Sequence, residues 1–313
     1  MVFMPQVSVI IPNFNHARFL KARVESVLTQ TFADTEILIL DDASTDESSR
    51  VISEFETEPR VSVYFNETNS GSPFSQWNRG ISMTTGEYVW IAESDDWAEE
   101  RFLERMVAVL DANPKVSLAY SLSKIVDQQG RELESFFDWD VSPGPSTDRW
   151  RRDFTEDGRT ECVRVLGFHN TIHNASAVLF RRSAASEAGK VREDLRYCGD
   201  WEFWVRMLRL GRVAFVSEML NQNRRHEATV SHDSSGSEIE LIERAVVLMK
   251  ILRSCEPTAA ESRSLLGHFA RLLVRRVRQG RVQLSGFLPR SPVAQLALRY
   301  PSLIGHLAKC FVR

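Results

Sequence analysis

The sequence predicts an α/β fold: a mostly parallel sheet with helices on both faces. Two observations carry this expectation. Short apolar runs recur through the first 217 residues, and amphipathic helical patterns lie between them. Repeated β-α-β order requires crossover helices, which bury a parallel sheet from both sides. The chain has 313 residues, 43% of them hydrophobic, enough for one large α/β domain with added elements.

The elements follow in order. Residues 7–11 read as a buried strand, and 16–30 place Leu20, Val24, Val27 and Leu28 on one helical face. A second strand spans 37–40, followed by a helix over 46–57 with Thr45 or Asp46 as its cap. A third strand spans 61–65, and the helix over 72–84 tolerates Pro73 in its first turn. Strand 87–92, helix 99–112 and strand 116–121 come next. Residues 134–160 mix Pro, Gly, Asp, Trp and Arg without periodicity, the mark of a long loop. Beyond it, strand 175–180, helix 201–210, strand 211–217 and helices 238–254 and 259–279 are expected.

The net charge of −3 gives no global pull toward nucleic acid. The four cysteines, Cys162, Cys198, Cys255 and Cys310, form no CxxC pair and no zinc spacing, so a reducing compartment is expected. No signal-peptide pattern opens the chain, and no stretch approaches the roughly 20 apolar residues of a membrane span. A cytoplasmic protein is therefore expected, soluble or peripheral at the inner face of the membrane.

Acidic residues mark the ends of two strands. Asp41 and Asp42 follow residues 37–40; Glu93, Asp95 and Asp96 follow 87–92. Open parallel sheets bind ligands at the carboxyl ends of their strands, so both clusters are expected to face one crevice. Asp41 or Asp46 could equally cap the next helix. Glu93 and Asp95, two apart in an extended segment, project to one side. Hard oxygen ligands of this kind suit Mg2+ or Mn2+, and such an ion can neutralise a leaving diphosphate. A solvated acidic turn is the bland alternative.

The segments VSVIIPNFN, ILILDDASTDES, NSGSPFSQWNRGI, GEYVWIAESDD and YCGDWEFWVRMLRLG occur in this order. Together they resemble the family 2 glycosyltransferases, inverting enzymes of the GT-A fold, over roughly residues 7–232. The resemblance implies a catalytic domain over 1–235 and leaves 236–313 as a basic helical extension. It implies that Pro12 and Asn15 line the nucleoside pocket and that Asp42 hydrogen-bonds the base. Asn78 would border the donor site. Glu93 and Ser94 fall in the donor-binding turn, and Asp95 matches its metal-binding aspartate. Asp200 matches the general base, although Gly199 stands where the family has Glu. Arg225 and His226 match a segment near the diphosphate, with His226 a second metal ligand. Expected cofactors are Mn2+ or Mg2+, and expected partners are a nucleoside-diphosphate sugar, UDP-linked by family habit, and a glycan or lipid-linked acceptor, as in polysaccharide biosynthesis. The chemistry agrees: displacement at an anomeric carbon needs a base for the acceptor hydroxyl and an electrophile for the diphosphate. Glu202 is the nearest other candidate for the base.

A nucleotidyltransferase is the rival enzyme, but it needs a Gly-rich phosphate loop where this chain has IIPNFNHARFL. A catalytically inactive sugar-nucleotide-binding module is the non-enzyme rival. From residue 256 onward the only acidic residues are Glu256 and Glu261, and 265–282 forms an amphipathic, Arg-rich helix. Such a helix meets an anionic membrane, packs on the catalytic domain, or joins two copies in a homodimer.

Overall fold

The computed structural model describes residues 5–134, 137, 144–226, 237–282 and 291–312. Part of the 134–160 segment and the residues directly after His226 lie outside them. The first half alternates as expected: β1 (Val7–Asn13), α1 (Ala17–Leu28), β2 (Thr35–Asp41), α2 (Ser48–Ser53), β3 (Val61–Phe65), α3 (Pro73–Met83) and β4 (Tyr88–Ile91). After β4 come β5 (Trp97–Ala98), α4 (Phe102–Ala112), β6 (Val116–Val126), β7 (Glu132–Glu134) and β8 (Phe154–Asp157). The short helix α5 (Gly158–Glu161) runs into a π-helical turn at Cys162–Leu166. Then follow β9 (Val178–Arg181), α6 (Arg182–Ala188), α7 (Gly199–Leu208) and β10 (Arg212–Arg224). Four helices end the chain: α8 (Glu238–Ser254), α9 (Ala259–Arg278), α10 (Pro292–Arg299) and α11 (Ser302–Val312).

One sheet runs through the molecule in the order β3-β2-β1-β4-β9-β6-β10-β5. It is parallel from β3 to β4 and between β6 and β10, while β9 runs antiparallel to both β4 and β6. All seven residues of β1 are buried, as a central parallel strand requires. Its pleat sends Val7, Val9 and Ile11 to a core shared with α1, α2 and α4. Ile10 faces the opposite core, shared with α3, α7, α8 and α9. From β1 the chain moves out to β2 and β3, then returns to β4 on β1's other side. That reversal leaves a crevice beyond the carboxyl ends of β1 and β4.

Three expectations needed adjustment. Helix 46–57 is only Ser48–Ser53, and Asp46 lies ahead of it, accepting from the backbone N–H groups of Ser48 and Ala17. Strand 175–180 begins as a 3-10 turn at Ala175–Ala177, with the Asn174 side chain accepting from Ser176 N. The last strand continues to Arg224, pairing with β6 across register shifts at Val216/Met219 and Met219/Asn221. Its extension is polar (Ser217, Glu218, Asn221, Gln222, Asn223), so hydropathy did not reveal it.

Helices α8 and α9 pack on the outer layer of the sheet domain, against α7 and the Cys162–Leu166 turn, and α10 and α11 pack on them. Thr258 and Glu261 form a reciprocal cap that opens α9. Leu265, Leu266, Phe269, Leu272 and Leu273 of α9 are all buried. The approach is close: a Cβ on Gly167 would lie 2.4 Å from Leu265. Thus the apolar face that could have met lipid is covered by protein, while Leu298 and Ile304 on the last two helices stay 75% and 55% exposed. Among the described residues, no helix is long and apolar enough to cross a membrane.

Candidate functional site

The turn after β4 lies at the crevice. Glu93 accepts a hydrogen bond from Trp77 Nε1 at 2.7 Å and donates its own N–H to Ser176 Oγ at 3.0 Å. Burial and the neighbouring Asp95 charge push the Glu93 carboxyl up to about 8. Asp96 is buried and inward: it accepts from Asn174 Nδ2 and from Arg224 N, both at 2.8 Å. Burial, then the Asp95 charge, raise it to about 6. Asp95 points to the crevice, where His226 Nε2 lies 3.0 Å from its Oδ2. Burial works to raise Asp95, but the His226 hydrogen bond and the nearby imidazoles outweigh it and hold the carboxyl low. Ser94 is buried, with its Oγ 2.8 Å from His16 Nδ1.

Two arginines behind this turn offset its charge. Arg23 of α1 is fully buried and donates from Nε to the Glu93 carbonyl at 2.8 Å. Burial lowers its guanidinium to about 10, against the pull of Asp96, Asp95 and Glu93. Arg224 donates from Nε to the Asp95 carbonyl at 2.8 Å and lies over the rings of Phe19 and Trp97, 4.5 Å from each centroid. Neither arginine was singled out in the sequence; an arginine inside an amphipathic helix or at a strand end reads as surface.

The carboxyl ends of β1 and β2 form the second wall. Asp42 is buried, and its carboxylate already accepts from Asn66 Nδ2, Ser70 N, Ser70 Oγ and Gln76 Nε2. It therefore fastens the 66–72 loop. Asp41 takes Asn13 Nδ2 and Ser44 Oγ, both at 2.7 Å. Asn15 adopts φ 56, and its Oδ1 accepts from Thr45 N at 2.7 Å, tying the β1 and β2 ends together. Pro12 is buried within β1. Phe14, between Asn13 and Asn15, is 43% exposed, an aromatic at the crevice rim that hydropathy did not flag. Asn78 holds the segment before α7: its amide pairs with both the N–H and C=O of Val191 and with Glu193.

Asp200 opens α7. Asn170 Nδ2 lies 3.4 Å from its Oδ2, and Oδ1 has no hydrogen-bond partner among the described residues. Burial raises its carboxyl to about 6. Gly199 before it packs on Phe74: a Cβ there would lie 2.4 Å from the ring. That contact accounts for glycine where Glu is usual. Glu202 is buried, accepts from Arg206 Nε at 2.8 Å and lies 3.8 Å from Lys250 Nζ. Residues 170–174 join the two acidic sites, with Asn170 at Asp200 and Asn174 at Asp96. Four peptide steps span at most about 14 Å, so this segment keeps the start of α7 near the turn after β4. A cavity lined by Tyr120, Trp150, Thr171, His173, Asn174 and Asn223 adjoins that segment. Arg225 follows β10, its N–H donated to the Val126 carbonyl at 2.8 Å.

A mixed sheet with acidic turns at the ends of β2 and β4, and a carboxylate at the start of α7, defines the GT-A fold of nucleotide-sugar-dependent transferases. The model of glycosyl transferase family 2 matches residues 8–189, more than half of the chain, and the chain belongs to that family. An uncharacterized glycosyltransferase of Haemophilus influenzae is 25% identical over 224 residues, covering 71% of this chain and 66% of its own length. One from Nostoc sp. is 34% identical over 131 residues, covering 41% of this chain and 40% of its own length. The chain thus spans about two thirds of such relatives or less. Among solved structures, S. aureus TarS 1-349 in complex with UDP-GlcNAc has a TM-score of 0.63 at 18% identity, covering 97% of this chain and 80% of that one. The mannosyltransferase PcManGT from Pyrobaculum calidifontis, in complex with GDP-Man and Mn2+, has a TM-score of 0.57 at 17% identity, covering 99% and 88%.

Proposed function

We propose that the chain transfers a sugar, with inversion, from a nucleoside-diphosphate sugar to a hydroxyl of a glycan or lipid-linked acceptor. The observation that carries this reading is the short segment 170–174, which touches Asp200 at one end and the Glu93–Asp96 turn at the other and so keeps the two acidic groups near each other. Asp200 accepts the acceptor's proton as the new glycosidic bond forms. Burial raises its basicity while leaving it ionised at neutral pH, which suits a general base. Its Oδ1 is buried and has no hydrogen-bond partner among the described residues, so it keeps an unspent acceptor for a hydroxyl once the site opens to one.

Asp95 and His226 would hold a divalent cation. The donor set fits: a carboxylate held ionised and a buried imidazole 3.0 Å from it. A divalent ion held there, Mn2+ or Mg2+, would supply positive charge against the leaving diphosphate. Arg225 adds positive charge beside the same diphosphate. Asn13, Asn15 and Asp41 shape the nucleoside wall, and Phe14 offers a face for the base. Asp42 reaches a base only by giving up part of its grip on Ser70, so donor binding is expected to reorder the 66–72 loop. UDP-sugars are the donors to test first and GDP-sugars second.

Residues 1–235 form the catalytic unit in this reading, and 236–313 brace it. A contact with an anionic membrane would then use exposed arginines with Leu298 and Ile304, rather than the covered face of α9. The deciding experiment incubates the chain with UDP- and GDP-sugars and Mn2+ and measures nucleotide release, with and without hydroxyl acceptors. Release that requires Asp95 and Asp200 supports transfer. Donor binding without turnover for any acceptor or water would favour an inactive binding module, and nucleotidyl transfer to a sugar phosphate would favour the rival enzyme.

A further inference from the structure

His16 belongs to neither the nucleoside wall nor the Glu93–Asp96 turn, yet it stands between them. It lies three residues beyond β1, at the crevice where β1 and β4 end. One ligand-capable atom each from His16, Asp95 and His226 lies within 4.8 Å of the others. Protein ligands about 2.0–2.2 Å from an ion sit about 3–4 Å apart, so small side-chain shifts close this set around one cation. The three come from three separate segments: the loop after β1, the turn after β4 and the end of β10.

The two rings are held for this geometry. His16 and His226 meet edge to face at 5.3 Å, and Phe19 packs on both, at 6.1 Å and 5.0 Å. Ser94 Oγ lies 2.8 Å from His16 Nδ1. When Nδ1–H donates to that hydroxyl, the Nε2 lone pair is left for an ion. Such an outer hydrogen bond is what fixes the tautomer and aim of a ligating histidine.

We propose that His16 is a third protein ligand to the cation, giving a two-histidine, one-carboxylate face that selects nitrogen-favouring ions over Mg2+. This rests on the reading of Asp95 and His226 as metal ligands. Imidazole suits the later first-row ions, while Mg2+ prefers oxygen and keeps its waters. Two imidazoles would therefore favour Co2+ and Zn2+ strongly and Mn2+ modestly.

The test titrates Co2+ and Mg2+ separately into the full chain, without nucleotide and with UDP. Co2+ is followed by its visible absorption and both ions by calorimetry. His16→Ala should weaken Co2+ by at least about tenfold, since loss of even an outer partner costs about 10–100-fold. Mg2+ should change far less. Ser94→Ala should weaken Co2+ in the same direction by a smaller factor, with Asp95 and both rings intact. His226→Ala serves as the reference for loss of an imidazole ligand, and melting curves confirm that each variant is folded. Equal losses for Co2+ and Mg2+ in His16→Ala, or no loss for either, would overturn the proposal while leaving Asp95 and His226 in place. A native chain that binds neither ion, even with UDP, would remove the metal reading itself. Three-ligand Co2+ binding without any nucleotide affinity would keep the metal face and break the donor reading.

Discussion

Replacing Asp200 by Asn should make the protein slower and more stable at once. The side chain keeps its size and its contact with Asn170, and only proton acceptance is lost. Removing a general base costs about 10²–10⁴-fold in turnover. The stability effect follows from the carboxyl's shift from 3.8 to about 6, caused chiefly by burial. Each unit is worth about 1.4 kcal/mol, so the ionised carboxylate costs the fold about 3 kcal/mol at most. Asp200 is only half-buried, and water screening reduces this to about 1–2 kcal/mol. The sign is set by linkage. Below pH 3.8 both folded and unfolded chains carry the proton, and the group contributes nothing. Between 3.8 and about 6 the unfolded chain gives it up first, so stability falls as pH rises. Above about 6 the penalty is complete, and Asp200→Asn relieves it. The assay is thermal or urea unfolding of both proteins at about pH 7.5 and near pH 4, beside turnover with excess donor. A gain at neutral pH of roughly 2–4 °C per kcal/mol, vanishing toward pH 4, is expected. In the native enzyme, kcat/KM should fall about tenfold per pH unit below about 6. An unchanged rate in Asp200→Asn would place the base elsewhere, and an unchanged or lowered melting point at neutral pH would refute the burial argument.

Further outcomes follow from the same contacts. Gly199→Glu, which restores the family's usual pair, should destabilise the chain by about 1–3 kcal/mol through the clash with Phe74, and Phe74→Leu should recover much of it; unfolding of the single and double variants in urea decides this. Asp42→Ala should lower stability as well as donor affinity, because Asn66, Ser70 and Gln76 lose an acceptor worth about 1–3 kcal/mol for each donor left buried; weakened UDP binding with an unaltered melting point would mean that the 66–72 loop does not depend on it. UDP should bind more tightly with Mn2+ than with chelator, and Asp95→Ala should abolish the difference in calorimetry. Truncation before Thr258 should lower the melting point, since core residues such as Leu166 and Phe168 lose the cover of Leu265 and Phe269; co-sedimentation of the full chain with anionic vesicles at low and high salt tests the membrane contact, which must weaken with salt.

The sequence alone determined the class of fold and the line of acidic positions along the strand ends. The runs 7–11, 37–40 and 87–92 are apolar because parallel strands are buried on both faces. Asp42, Asp95 and Asp200 were legible because each follows or opens a periodic element. Tertiary structure decided the rest. The polar extension of β10 exists only because β6 offers a partner across two register shifts. Arg23 is an apolar-face position holding a charge, and its reason, the Glu93 carbonyl and the carboxylates beyond it, lies 70 residues away. His16, Asp95 and His226 meet from three distant segments, and no spacing along the chain announces a set closed by the sheet's topology. The α9 helix carried one amphipathic pattern compatible with lipid or protein. Only the packing against Gly167 and its neighbours chose protein, because an apolar face is drawn to whichever surface excludes water first and here that surface is its own domain.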